Sequence, residues 1–202
     1  SKTMKKWNGY EDTQAYSDNE KLPTGGYVLK IQNVRLDEGK NGNSDVLVIA
    51  FDIAEGEQAG FYKRNYDAQT QEDKKWKGVY RLYCPKDDGS DQDNWTKRRF
   101  KTVMEAFETS NEGYHWNWNE KTLKGKIIGG LFNNKEYDFE GRHGFFTSCH
   151  SLMDAQRIRD GKFTIPKDTL LKTGRNTYPT GATQGADGFM NIPDEIDEEL
   201  PF

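Results

Sequence analysis

The sequence predicts a mainly β fold: a small five-stranded barrel with one inserted helix, an extended N-terminal arm and a disordered acidic C-terminal tail. Three observations predict it. Five or six short segments between Leu22 and Met153 alternate apolar and polar residues as strands do. A single 3.6-residue apolar stripe falls between the third and fourth of them. Beyond residue 172 the chain is too poor in apolar side chains to join a core.

Taken in order, residues 1–21 are polar apart from Trp7, Tyr10 and Tyr16 and read as an arm, extended or as one short helix. The folded domain is expected over residues 22–172. Pro23-Thr24-Gly25-Gly26 is a turn signal, and Tyr27 to Leu36 alternates with a slip. Tyr27, Leu29 and Ile31 share one face, whereas Val34 and Leu36 fall on the other, so a β-bulge near Gln32-Asn33 is expected to bend the strand and turn both sets inward. After a Gly/Asn loop, Asp45 to Ala54 is the most apolar strand. Two short aromatic and basic segments, Phe61 to Tyr66 and Lys74 to Tyr83, are read as extended.

The helix is expected at about Trp95 to Glu108, capped by Asp93 or Asn94, with Phe100, Val103, Met104 and Phe107 forming its stripe. Lys124 to Phe132, an Asn133-Asn134 turn and Lys135 to Phe139 read as a hairpin, and Gly144 to Met153 as a last strand. Gly129-Gly130 reads as a kink within a strand. Strands in this order around one helix, with a bent first strand serving both halves, match the Greek-key barrel of the OB-fold; a β-sandwich with one helix is the competing architecture. Residues 173–190 have the Gly- and Thr-rich composition of a linker, leaving 191–202 as an acidic tip.

Composition limits the function classes. The mean hydropathy is -1.01, and the longest apolar run, Val46 to Phe51, is far short of the ~20 residues a membrane span requires. Cys84 and Cys149 stand alone, without the spacing of a disulfide framework or zinc knuckle, and the N-terminus has no apolar signal region, so a cytoplasmic address is expected. The net charge of -4 hides an asymmetry: Asp187 to Phe202 holds six acids and no base, leaving the rest at about +2.

The densest positive stretch is residues 60–101, with eleven bases against seven acids. It also carries eight aromatic rings. Single-stranded nucleic acid is held by cations that follow the phosphates and by flat side chains on which bases stack. Tyr62, Lys63, Arg64, Tyr66, Lys74, Lys75, Trp76, Lys77, Tyr80, Arg81 and Tyr83 are therefore the candidate binding residues. By alternation Tyr62, Arg64 and Tyr66 share a face, as do Trp76, Tyr80 and Leu82. The competing reading makes half of these rings core and the bases a solvated rim.

The chain ends Ile196-Asp197-Glu198-Glu199-Leu200-Pro201-Phe202. Acids followed by a small apolar terminus suit docking into a basic, apolar pocket on a partner. This ending resembles the acidic tip of bacterial single-stranded-DNA-binding proteins, with Glu for most Asp and Leu before the Pro. The body resembles single-stranded-DNA-binding proteins of phages and prophages of Gram-positive bacteria, through Leu22-Pro23-Thr24-Gly25-Gly26-Tyr27-Val28, Phe51-Asp52-Ile53-Ala54-Glu55-Gly56-Glu57, Lys97-Arg98-Arg99-Phe100-Lys101 and Ile158-Arg159-Asp160-Gly161-Lys162-Phe163. The resemblance implies a non-enzymatic protein that coats single-stranded DNA during phage replication or recombination, while its tip recruits host or phage replication and recombination proteins. Self-association into a homo-oligomer is left open.

Two alternatives come from other classes: a docking scaffold without DNA affinity, and a metal-dependent nucleic-acid enzyme. For the enzyme the chemistry is poor. His115, His143 and His150 stand apart, and Asp87, Asp88, Asp91 and Asp93 follow neither a nuclease nor an EF-hand pattern and read as a capped loop. No cofactor or metal is expected.

Overall fold

The computed structural model describes residues 2–11 and 20–172. One antiparallel sheet dominates, in the spatial order β3-β2-β1-β4-β5. Its strands are β1 (Gly25–Asp37), β2 (Val46–Ile53), β3 (Val79–Tyr83), β4 (Ile127–Phe139) and β5 (Arg142–Met153). The expected bend in β1 is present: Gly25 to Lys30 pair with β4, and Leu29 to Asp37 pair with β2. Between them the register steps from Ile31↔Phe51 to Asn33↔Ala50, which makes Gln32 the bulged residue. Leu29, Ile31 and Val34 are all buried on the inner face, as the slip in alternation requires. Leu36, at the far end, stays largely exposed. The twist of the sheet brings its edges β3 and β5 to within 8 Å at Cα.

Helix α2 (Asp91–Ser110) connects β3 to β4 and buries Phe100, Val103, Met104 and Phe107 against the inner face. It starts earlier than the apolar stripe alone suggests. Ser90, not Asp93 or Asn94, is its cap: Ser90 Oγ accepts the Asp93 N–H at 3.1 Å, while the buried Asp93 carboxylate reaches back to the N–H groups of Asp87 and Gly89. Burial alone would raise the Asp93 pKa, but the Asp87 N–H, Lys97 and the Gly89 N–H together hold it below its ordinary value. The acidic run before the helix is thus a capped loop, with Lys97 bridging Asp87 and Asp93.

Three local expectations are corrected. Phe61 to Tyr66 is not extended but opens helix α1 (Phe61–Ala68). Its cap residue is Gly60, in the left-handed region at φ 79°, and the capping side chain is supplied by Asp52 of β2. Asn133-Asn134 is not a turn: β4 runs through it, and the hairpin turns at Glu140-Gly141, both at positive φ (49° and 78°), a conformation that suits glycine. The Asn133 side chain is buried and its amide donates to Lys167 O (2.8 Å) and Thr169 Oγ1 (2.9 Å), so the pair fastens a later segment to the sheet. Finally, a short helix α3 (Ala155–Arg159) follows β5 where none was expected.

Helix α3 explains Gly129. A Cβ there would lie 2.6 Å from Ile158 Cγ1 and 2.9 Å from Met153 O, so only glycine lets α3 lie this close to β4. Gly26 is under the same constraint from Ile158 and the Phe163 ring. The Arg159 guanidinium grips the Glu55 carboxylate, with contacts of 2.8 and 3.1 Å. Three of the four stretches that carry the family resemblance, around Gly26, Glu55 and Ile158, therefore converge on one packing seam.

Candidate nucleic-acid interface

In an antiparallel sheet the residues opposite one another share a face. The inner face carries the pairs Val34↔Ile49 and Leu47↔Leu82, so the intervening residues look outward. Two outward rows result, Arg35–Val48–Arg81 and Asn33–Ala50–Val79, each crossing β1, β2 and β3. The bulge adds Gln32 beside Asn33 on this side. With Lys75 and Trp76 from the segment leading into β3, these residues line an open cleft of about 510 Å³.

The cleft combines charge, apolar floor and ring. Arg35 and Arg81 flank Val48, and Arg35 is oriented along the strand by Asp37 (Nε to Oδ1, 2.8 Å). The Trp76 indole is fixed by its N–H, which donates to Phe51 O at 2.8 Å, so one edge is anchored while the ring remains half-buried. Tyr66 from α1 stands 5.8 Å from Trp76, tilted by 42°, and the Lys74 ammonium lies 5.3 Å from the Tyr66 ring centre. Helix α1 thus places a ring against Trp76 next to the cleft.

Lys77 lines not this cleft but a second, smaller one of about 430 Å³ at the seam between β3 and β5, together with Asn65, Asn134 and Ser148. Burial, and secondarily the neighbouring Lys75 charge, lowers the Lys77 pKa. Lys63 and Arg64 sit on α1. Lys63 pairs with Asp67 at 2.8 Å, which raises its pKa, and Arg64 pairs with Glu20 at 2.9 Å while donating to Ala59 O.

Of the eleven candidates, Lys75, Trp76 and Arg81 line the main cleft, while Tyr66 stands beside Trp76 and Lys74 beside Tyr66, outside the lining. Tyr62, Tyr80 and Tyr83 are corrected: all three rings are buried. Tyr62 packs edge-on against Phe51, and the Tyr80 hydroxyl accepts from Arg99 at 2.6 Å, so neither ring is available for stacking. The shared face expected for Trp76 and Tyr80 is therefore not formed. Alternation fails there because the strand begins only at Val79, and for Tyr62 because the segment is helical. Sequence reasoning missed Gln32, Asn33 and Arg35. The signal was available, since a bulge that turns Ile31 and Val34 inward must turn both residues between them outward, and Arg35 after them.

Among the described residues no group of three or more His, Cys, Asp or Glu side chains stands together in a way that would hold a metal ion. No helix among them is long and apolar enough to cross a membrane. The linker (173–190) and the tip, Ile196 to Phe202, lie outside the described residues. The chain matches no protein-family model and no curated protein.

Proposed function

We propose that this chain is a single-stranded-DNA-binding protein of a phage or prophage, with an OB-fold-like domain that coats DNA without strong sequence preference and an acidic tip that recruits replication or recombination partners. The observation that carries the reading is the outward β1–β2–β3 cleft, where Arg35 and Arg81 flank an apolar floor and Trp76 stands at the rim. Cations in register with a strand-wide groove suit a phosphate backbone, and a half-buried ring with one anchored edge suits base stacking. None of the cleft's lining residues is acidic; the acid held against its cations is Asp37, paired with Arg35 at one end, and a phosphate would compete with it there.

The barrel assignment rests on topology. The order β3-β2-β1-β4-β5, a first strand shared by both halves, edges that approach each other and a helix between the third and fourth strands fit a five-stranded Greek-key barrel. The tip reading rests on the sequence Ile196 to Phe202 and its resemblance to bacterial tips.

The test is a titration of fluorescent oligo-dT with the full chain at low and high salt, against duplex DNA of equal length. Selective, salt-weakened binding to the single strand is expected, with a log–log slope of about 0.7 per phosphate contact. No binding at low salt would sink the reading and leave the docking scaffold in its place.

A further inference from the structure

A third cleft, apart from the proposed DNA face, opens between α2 and the loop after it. It measures about 790 Å³ and is walled by Phe100, Met104, Trp116 and Trp118, with Leu36 and Leu47 at its base. Trp118 is 78 % exposed and lies flat on Phe100, at 6.2 Å and 7° between planes. Its backbone sits at φ 64°, a conformation that a non-glycine residue adopts at a cost. A strained turn that presents a tryptophan to water, over an apolar trough of this size, is a docking surface in search of its occupant.

Charge narrows the occupant. Asp87, Glu105, Glu108 and Glu120 line the cleft against Lys97 and Lys101, and Asp87 is already paired with Lys97. The balance is negative, so the complement is a segment that is apolar and basic. The N-terminal arm is such a segment. Residues 2–11 hold Lys2, Lys5 and Lys6 against Glu11, and interleave Met4, Trp7 and Tyr10, which are 88 %, 50 % and 59 % exposed. Those three arm side chains, with Leu36 and Trp118 of the cleft, are five of the eight large apolar side chains that the described residues leave exposed. With the arm's apolar side chains and the cleft's Trp118 all exposed in the single chain, the occupant is sought in another copy.

We infer that the cleft receives the N-terminal arm of a second copy of this chain, Trp7 packing against Trp118 and the arm lysines facing Glu105 and Glu120. Such an arm-to-cleft contact is heterologous, so it can pass from copy to copy.

Sedimentation velocity without DNA tests it independently of nucleic-acid binding, over about 1 to 100 μM, where small interfaces dissociate. The full chain should show a mass that rises with concentration. Deleting residues 2–11, Trp118→Ala, and Glu105→Lys with Glu120→Lys should each weaken self-association by at least about tenfold, like charges being set against each other in the last. Adding Lys5→Glu and Lys6→Glu to the double reversal should restore it. A full chain that is monomeric throughout, as it would be if each arm filled its own cleft, overturns the inference, and so does association that survives the arm deletion.

Discussion

The Asp52 carboxylate caps a helix to which it does not belong: Oδ1 accepts the Tyr62 N–H at 2.8 Å, and Oδ2 the Lys63 N–H at 3.1 Å. These are the second and third amides of α1, the donors that a capping side chain ordinarily satisfies from the residue just before the helix. Gly60 occupies that place and has no side chain to offer. Asp52 is buried in β2, so the cap also fixes where α1 stands on the sheet, and with it the distance from Tyr66 to Trp76.

Asp52→Ala should therefore cost about 2–4 kcal/mol, because one buried and one part-buried amide lose their partner. Asp52→Asn, which keeps one carbonyl acceptor, should cost less. Urea denaturation measures the first, and hydrogen exchange should show the amides of residues 61–66 losing protection ahead of β2. Equal protection in the Ala variant would mean that packing of Phe61 and Tyr62, not the cap, holds α1.

Arg35→Ala and Arg81→Ala should each weaken oligo-dT binding and reduce the salt slope by about 0.7, the share of one phosphate contact. Trp76→Ala should cost about 1–3 kcal/mol of affinity, and Trp76→Phe should recover part of it, since stacking needs a ring but not an indole N–H. Arg98→Ala, on the exposed side of α2 and outside the cleft, serves as the control and should leave the titration unchanged. An Arg98 effect as large as that of Arg81 would move the DNA path to the helix.

What the sequence made legible follows the range of the forces involved. The β1 bulge was readable because inner and outer faces alternate with period two, and a slip between Ile31 and Val34 has one simple remedy. The α2 stripe was readable for the same kind of reason, at period 3.6. Helix α1 was not, because its capping carboxylate comes from another strand, and eight residues rich in aromatics have no strong period of their own. The false turn at Asn133-Asn134 failed similarly: an asparagine pair usually marks a turn, but here Asn133 spends its amide on residues more than thirty positions away. At the proposed interface, the basic and aromatic composition pointed to a segment of which Lys75, Trp76 and Arg81 line the cleft, while the assignment of individual rings to faces went wrong wherever the local structure was misjudged.

Asn133 is the pin of a strap. Besides its two side-chain bonds, Thr169 N–H donates to Asn134 O, Glu136 N–H to Thr169 O, and Leu171 N–H to the Glu136 carboxylate, each at 2.8 Å. The Leu171 amide, then His143, holds the Glu136 pKa below its ordinary value, so its contribution is present at neutral pH and is lost as acid protonates it. Asn133→Ala should cost about 1–3 kcal/mol and free the amides of Thr169 and Leu171 to exchange, with β1–β2 protection retained. Unchanged exchange at those two amides would show that the strap is held elsewhere.

Cys84 gives a last check, on the half-buried edge of the cleft beside α2. Burial, with a smaller effect from Asp45, pushes its thiol up to about 11 from 9.0. In a Cys149→Ser background, iodoacetamide at pH 8 should then alkylate Cys84 about a hundredfold more slowly than an ordinary thiol, because the thiolate is the reactive form. The sign for stability follows. The folded chain keeps a proton that the unfolded chain gives up, so this group's contribution is intact below pH 9 and is lost as pH rises toward 11. Melting temperature should fall over that window in the Cys149→Ser protein and fall less steeply when Cys84→Ala is added. Rapid alkylation at pH 8, or identical slopes in the two proteins, would mean that Cys84 meets water more freely than its place beside β3 requires.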